Sequence, residues 1–216
     1  VTSAPPPGAD SEDPLVALCH HRWAVPILAL CAGEPGGGAK FVTFAVRLGL
    51  SRQTLARTLE ALIAQGLLAR ATGVHHALRP EYVLTRAGAS VAGACRVTLR
   101  ELRRLGAEEA GLNKWTIPIV AALAERPRRA ARFGELHSAL PGATPRALAA
   151  ALRDGQGAGL LSREVLDTYP PAAEYRVAKA AGRLAAAVNR LAAELGLRPR
   201  RRRGADDGGF RLRMTA

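Results

Sequence analysis

The sequence predicts a mainly α-helical fold with small β-wings (α+β), formed twice along the chain. Three observations carry this prediction: an internal repeat, apolar residues at helical spacing in matching places, and two short strand–loop–strand patterns. The chain has 216 residues, of which 48% are hydrophobic. That is enough for one or two domains with buried cores, and it excludes a wholly disordered protein.

A comparison of the chain with itself reveals the repeat. Trp23 and Pro26 recur as Trp115 and Pro118, an offset of 92 residues. After one residue of slippage, further matches pair 66–70 with 159–163 and 81–82 with 174–175. Because the matches follow in order with one slip, we infer two copies of a domain-sized unit rather than a short solenoid repeat. The predicted organisation is a disordered N-terminal segment 1–14, a first domain 15–108, a second domain 109–197 and an Arg-rich tail 198–216.

Each unit is predicted to begin with two helices. Proline in a helix is tolerated only within the first turn, so Pro26 and Pro118 indicate that a helix begins near the Trp that precedes each of them. A second, short helix is expected over 41–48 in the first unit and over 133–140 in the second. A tight turn follows it in both units.

The third helix of each unit begins at a hydroxyl residue. Ser51 and Thr144 are favourable N-caps, and helix-compatible sequence follows both. In the first unit the helix is expected to bury a stripe formed by Leu55, Leu59, Leu62 and Ile63. In the second unit, the sequence Asp-Gly-Gln-Gly at 154–157 is expected to interrupt the end of the helix, because each glycine costs about 1 kcal/mol.

A strand–loop–strand pattern and a closing helix complete each unit. The predicted strands cover 66–70 and 82–84 in the first unit, and 160–165 and 175–177 in the second. The closing helices are predicted over 88–105 and 183–196. Two helices joined by a short turn and followed by a strand–loop–strand form a helix-turn-helix with a wing.

The charge balance favours a nucleic-acid partner. The chain has 31 Lys and Arg against 18 Asp and Glu, a formal net charge of +13, and such an excess binds phosphates with release of counterions. A solvated basic surface or a cationic tail stays open as the alternative, because Arg198 and 200–203 place five arginines in the tail. The polar N-terminus and the absence of a long apolar run predict no signal peptide, no membrane partner and a cytoplasmic location.

No catalytic residue, metal site or cofactor is predicted. Cys19-His20-His21 with Cys31 fits no standard zinc spacing, and 33–40 departs from a phosphate-binding loop. Three cysteines, an odd number, argue against a disulfide framework, and Cys31 and Cys95 lie on apolar helix faces. Core packing is expected for the aromatic residues that occupy matching places in the two units: Trp23, Phe41, Tyr82, Trp115, Phe133 and Tyr175.

The order of motifs is similar to that of one known family. The motifs are WTIPIV at 115–120, RFGEL at 132–136, TPRAL at 144–148, AGLLSR at 158–163 and YPPAAEY at 169–175, with YVLTRAG at 82–88 in the first unit. In this order, and present twice, they resemble the HxlR-type winged helix-turn-helix transcriptional regulators. The resemblance covers roughly residues 15–195. The first unit departs from the pattern at its wing, which lacks the Pro-Pro pair and carries His75 and His76.

The resemblance implies a transcription regulator that binds double-stranded DNA and is not an enzyme. Because the family dimerises through terminal helices, two fused domains imply an intrachain pseudo-dimer in which 88–105 packs on 183–196. The third helix of each unit, which begins at Ser51 or Thr144, would be the recognition helix. The two recognition helices would then lie roughly 34 Å apart, about one DNA turn. A small-molecule or redox signal would change the angle between the units. Further dimerisation of the chain is left open. Some relatives sense oxidants through a cysteine upstream of the Trp. Cys19 lies only four residues before Trp23, which is a shorter spacing than the resemblance leads us to expect.

The candidate DNA contacts fall on the third helix and the wing of each unit. Arg and Gln side chains form bidentate hydrogen bonds to guanine and adenine edges, whereas arginines of the wings would contact phosphates. The groove candidates are Ser51, Arg52, Gln53, Thr54, Arg57, Thr144, Arg146 and Arg153. The phosphate candidates are Arg70, Arg79 and Arg163. Two other hypotheses stay open: a solvated helix face, and a duplicated scaffold that binds a small molecule or a protein between its domains without reading DNA.

Overall fold

The computed structural model describes residues 13–71, 81–167 and 172–196. The first unit consists of α1 (Pro14–His20), α2 (Ala24–Cys31), β1 (Gly38–Lys40), α3 (Phe41–Leu48), α4 (Arg52–Ala64), β2 (Leu68–Ala71), β3 (Glu81–Leu84) and α5 (Arg86–Arg104). The second unit consists of α6 (Glu108–Gly111), α7 (Thr116–Ala124), β4 (Ala130–Arg132), α8 (Phe133–Ala139), α9 (Pro145–Gly157), β5 (Leu161–Leu166), β6 (Ala172–Val177) and α10 (Gly182–Glu194). The predicted α+β class with two tandem winged helix-turn-helix domains is confirmed.

Three sequence predictions fall wholly or partly outside the described residues. They concern the Arg-rich tail, the first wing loop with Arg79 and its two histidines, and residues 1–12 of the N-terminal segment. The last two residues of that segment, Asp13 and Pro14, belong to the described residues. Asp13 caps α1, because its Oδ1 accepts a hydrogen bond from the Leu15 amide at 2.8 Å, and Pro14 occupies the first helical position.

The caps of the recognition helices form as predicted. The Oγ atom of Ser51 accepts a hydrogen bond from the Thr54 amide at 3.3 Å, and the Thr144 hydroxyl accepts one from the Ala147 amide at 3.2 Å. These bonds satisfy backbone N–H groups that have no partner within the first turn of a helix. Trp23 and Trp115 occupy the N-cap positions of α2 and α7, which confirms that both helices begin near the Trp.

Each unit contains a three-stranded antiparallel sheet rather than the predicted pair of strands. The strand order is β1-β3-β2 in the first unit and β4-β6-β5 in the second. The sequence analysis missed β1 and β4, which are three residues long. In the first sheet Gly38 pairs with Val83, and a Cβ at Gly38 would lie 2.7 Å from the carbonyl oxygen of Tyr82. Glycine therefore lets the two strands approach each other.

The predicted interruption of the second recognition helix is wrong. Helix α9 continues without a break to Gly157. Gly155 is buried against Leu161, and a Cβ there would lie 2.8 Å from the Cδ1 atom of that leucine. The Nδ2 group of the Asn113 side chain also donates a hydrogen bond to the Asp154 carboxylate in the last turn of α9, at 3.3 Å. Close packing against β5 thus explains a glycine that intrinsic helix propensity disfavours.

One hydrophobic core runs through both units. Helix α5 packs on α2 of its own unit and on α10 of the second unit, and α10 packs on α7. The prediction that 88–105 and 183–196 pack together is therefore confirmed. Both helices bury residues at helical spacing, among them Val91, Cys95, Thr98 and Leu102 on α5, and Leu184, Val188 and Leu191 on α10. Helix α1 also contacts α7 across the boundary between the units.

The start of α5 is fixed to the turn that follows recognition helix α4. The Thr85 hydroxyl accepts a hydrogen bond from the Gly88 amide at 2.9 Å and donates one to the Gly66 carbonyl at 2.6 Å. Gly88 is buried, and a Cβ built there would lie 1.9 Å from the carbonyl oxygen of Leu67. The close approach of these backbones sets the position of α4 relative to the helix that packs on the second unit.

An acidic side chain on α5 organises arginines at the boundary between the units. The Glu101 carboxylate is buried and accepts a hydrogen bond from the Arg104 Nε at 2.8 Å, and the same guanidinium donates to the Ala180 carbonyl of the second unit at 3.1 Å. The hydrogen bond from Arg104 lowers the pKa of Glu101 below its ordinary value of 4.5, and the charges of Arg104, Arg100 and Arg183 act in the same direction, although burial opposes them.

Glu101→Gln is expected to destabilise the protein by about 1 kcal/mol at pH 7, because a charge-assisted hydrogen bond to a half-exposed arginine is lost. The folded-state pKa lies below the unfolded value, so the contribution is present above pH 4.5 and disappears as the pH falls through the folded-state pKa. Urea unfolding at pH 7 and in the acid range measures the difference between variant and parent. Exposed Glu109→Gln is the control, and a deficit that stays constant down to low pH would contradict the assignment.

Among the described residues no single helix is long and apolar enough to cross a membrane; α1 and α2, bent by 95° to each other, meet the length and composition criteria only as a pair.

Candidate nucleic-acid interface

The first recognition helix separates an apolar face from a polar face. Leu55, Leu59 and Leu62 recur at helical spacing and are buried, so the residues between them point outward. Of the predicted stripe, Ile63 alone is only half-buried. The groove candidates of both units are exposed, namely Ser51, Arg52, Gln53, Thr54, Arg57, Thr144, Arg146 and Arg153.

The arginines of these helices keep their charge uncompensated. No aspartate or glutamate in the described ranges forms an ion pair with Arg52, Arg57, Arg146 or Arg153. Other arginines are neutralised by acids, as the pair of Arg103 Nε with Glu108 at 2.9 Å illustrates. Positive charge therefore remains where the helices face outward, which is the arrangement that attracts phosphates.

The two recognition helices differ in what they present. At the positions of α9 that correspond to Thr54 and Arg57 of α4, the second unit has Ala147 and Ala150. The face of α9 thus offers the guanidinium groups of Arg146 and Arg153 above a surface of methyl groups. The face of α4 combines arginine, glutamine and threonine, which are the side chains able to read base edges.

The wing arginines lie beside the sheets. Arg70 on β2 is exposed, and its guanidinium carbon lies 5.7 Å from the ring centroid of Tyr82. Arg163 on β5 is exposed and stands opposite Tyr175 in the strand register. Arg79, the third phosphate candidate, lies outside the described residues. The structure thus places two of the three on the wings, at the edge of each domain.

A cavity adjoins the first recognition helix, and the sequence analysis missed it. It measures about 290 Å³ and lies between the α1–α2 turn and the outward face of α4. Its lining residues are His20, His21, Arg22, Trp23, Gln53, Thr54, Arg57 and Thr58. The run of two histidines and an arginine before Trp23 is the part of this lining that is visible in the sequence, and its spacing fits no metal site. Helix α4, about thirty residues further along the chain, forms the other wall.

One histidine of this cavity, His21, has a lowered pKa. Burial lowers the pKa of His21, and nearby His20 and Arg57 lower it further. The Nδ1 atom of His20 lies 2.9 Å from the Nζ atom of Lys114 in the second unit. Because an ammonium group can only donate, that nitrogen of His20 accepts the hydrogen bond and carries no proton. The cavity wall is thereby joined to the second unit.

The three cysteines are buried free thiols. Burial raises the pKa of Cys19 and of Cys31 to about 12, and raises that of Cys95 as well. A thiol with such a pKa forms little thiolate at neutral pH, and the thiolate is the form that oxidants attack. The prediction that Cys31 and Cys95 belong to the core is confirmed. In the part of the chain that the structure describes, no group of three or more candidate side chains could hold a metal ion.

The aromatic residues that repeat between the units belong to the core or its border. Tyr82 and Trp115 are buried, while Trp23, Phe41, Phe133 and Tyr175 are half-buried and pack against the core. Of these, Trp23 is distinctive because it also lines the cavity. The expectation of core packing is therefore met, and Trp23 in addition forms part of the cavity wall.

Comparison with known proteins gives one family. The model of the HxlR-like helix-turn-helix family matches residues 18–109 and matches again at 112–196. No curated protein and no solved structure matches the chain significantly. The two matches cover both units and agree with the fold described above. The chain therefore belongs to the HxlR-like helix-turn-helix family, a family of DNA-binding transcription regulators, and it carries the family's domain twice.

Proposed function

We propose that this regulator reads duplex DNA with both recognition helices, and that α4 supplies most of the sequence specificity. One observation carries the proposal: Arg52, Gln53 and Arg57 are exposed on a capped helix, and neither arginine is neutralised by a described acidic residue. Bidentate hydrogen bonds from arginine to guanine and from glutamine to adenine are the contacts that distinguish base pairs in the major groove.

The second unit contributes mainly affinity. Its helix α9 offers Arg146 and Arg153, and its wing offers Arg163. Arginines that contact phosphates position a domain on the duplex without reading its sequence. Because the two recognition faces differ, the preferred operator is asymmetric rather than palindromic.

The packing of α5 on α10 supports a pseudo-dimer within one chain. In dimeric helix-turn-helix proteins the half-sites lie about one DNA turn apart, roughly 34 Å, and we propose the same spacing for α4 and α9. The proposed setting is the cytoplasm, and the proposed role is regulatory and not catalytic. A small-molecule signal fits the buried, protonated state of the cysteines better than a direct redox signal does.

A salt-titrated binding assay with the DNA upstream of the protein's own coding sequence tests the proposal. Six described arginines face outward on the recognition helices and wings. If each of them displaces counterions, whether it contacts a phosphate or a base edge beside one, the slope of log K against log salt is expected to be about −5. Binding to the upstream DNA is expected to survive an excess of unrelated duplex.

If unrelated duplex removes all binding, the charge acts only as a generic attraction. That result would favour the second hypothesis, in which the chain is a duplicated scaffold that binds a small molecule or a protein between its domains without reading DNA. The alanine-rich face of α9 favours this hypothesis, but it concerns one unit only.

A further inference from the structure

The cavity beside α4 is lined by hydrogen-bond donors and cations. Arg22 and Arg57 contribute two guanidinium groups, and no described acidic residue forms an ion pair with either of them. Gln53 and Thr54 contribute an amide and a hydroxyl. None of the described lining residues carries a carboxylate. A compact anion would therefore meet attractive charge from both walls.

The cavity also has an aromatic wall. Trp23 is half-buried, and the guanidinium carbon of Arg22 lies 5.9 Å from its ring centroid. The rings of His20 and His21 pack edge to face, with centroids 5.2 Å apart. Flat apolar surfaces of this kind pack well against a planar ring. A volume of about 290 Å³ holds one small molecule, and a duplex DNA backbone needs no such concavity.

Several of these lining residues have no chemical counterpart in the second unit. The positions of His20, His21, Arg57 and Thr58 are taken in the second unit by leucine, asparagine and two alanines: Leu112, Asn113, Ala150 and Ala151. There the asparagine donates a hydrogen bond to Asp154 on the recognition helix. The second unit keeps a cation and the aromatic ring as Lys114 and Trp115, and an arginine replaces Gln53. What distinguishes the first unit is therefore its pair of histidines together with the Arg57 guanidinium.

We propose that this cavity binds a small aromatic carboxylate, and that the bound ligand lowers the affinity of the protein for DNA. The carboxylate accepts hydrogen bonds from Arg57 and Arg22, and the ring packs beside Trp23. This inference rests on the proposed function in one respect, because Gln53 and Arg57 are also candidate base readers. The ligand and the DNA thus compete for the same side chains.

Binding is tested first without DNA, by isothermal titration calorimetry of the full-length protein with benzoate, benzamide and inorganic phosphate. Benzoate is expected to bind, and both benzamide, which lacks the charge, and phosphate, which lacks the ring, are expected to bind at least tenfold more weakly. Arg22→Met is expected to weaken benzoate binding at least tenfold. Arg128→Met is the control, because Arg128 is an exposed arginine that does not line the cavity.

The proposal is overturned if benzoate does not bind, if benzamide binds equally well, or if Arg22→Met has no effect. Phosphate binding as tight as that of benzoate would also overturn it, because the cavity would then be an oxyanion site suited to the DNA backbone. These readings need no DNA, so they remain valid if the protein proves not to read sequence.

A second arm measures the coupling to DNA. Benzoate is expected to raise the dissociation constant of the upstream DNA, and the DNA must raise that of benzoate by the same factor, since linkage is reciprocal. Benzoate that binds the free protein and leaves DNA affinity unchanged would overturn the competition.

Discussion

Replacing Arg52 and Arg57 together with alanine is expected to lower the ratio of specific to non-specific DNA affinity by about 30-fold or more. Each bidentate contact to a base contributes about 1–3 kcal/mol of discrimination, and α4 holds both arginines on its outward face. The measurement is a pair of binding isotherms at fixed salt, one with the upstream operator and one with unrelated duplex.

The matched variant is Arg146→Ala with Arg153→Ala, which removes the same two charges from α9. Both double variants are expected to flatten the salt dependence by a similar amount, because each removes two cations that lie close to phosphates. Only the variant of α4 is expected to lose discrimination between sequences. An equal loss of discrimination in the two variants would contradict the proposed division between a reading unit and a supporting unit.

Gly88→Ala is expected to destabilise the protein by about 3 kcal/mol, a decrease in Tm of roughly 6–12 °C for a chain of this size. The new Cβ would lie 1.9 Å from the carbonyl oxygen of Leu67, so the backbone at the start of α5 has to move. That movement also strains the hydrogen bonds of Thr85 to Gly66 and Gly88. Thermal unfolding followed by circular dichroism measures the effect.

Gly93→Ala on the same helix is the control. Gly93 is exposed, and a Cβ there would have no atom within 4 Å, so alanine is expected to stabilise the helix by about 0.5–1 kcal/mol. Opposite signs for the two substitutions would establish that the contact with Leu67, rather than helix propensity, decides the result. A Gly88→Ala protein as stable as the parent would refute the tight approach seen at this turn.

Features set by local sequence could be predicted, and features set by distant contacts could not. The caps at Ser51 and Thr144 and the leucine stripe of α4 depend on neighbouring residues, so residue type and spacing were sufficient. Strands β1 and β4 exist because they pair with β3 and β6 some forty residues later, and three residues carry no periodic signal. Gly155 belongs to the same class, since its place in α9 depends on contact with Leu161.

The same distinction between local sequence and distant contacts applies to the candidate site. The exposure of Arg52, Gln53 and Arg57 followed from the position of the leucines on α4. The cavity was missed because its walls, the α1–α2 turn and α4, come together only in the folded chain. Metal-ligand spacings near Cys19 do not indicate it, because its lining consists of guanidinium, amide, hydroxyl and aromatic groups.

The contact between α5 and α10 changes how the regulator depends on its own abundance. A regulator made of two separate chains must assemble before both reading helices can act, so at low copy number part of it is present as single-headed monomers. Here one polypeptide holds both heads at a high effective concentration that dilution does not change. If the proposed pseudo-dimer is the binding unit, occupancy of the operator is expected to rise in proportion to the number of chains at low occupancy, and each molecule carries the full two-headed affinity.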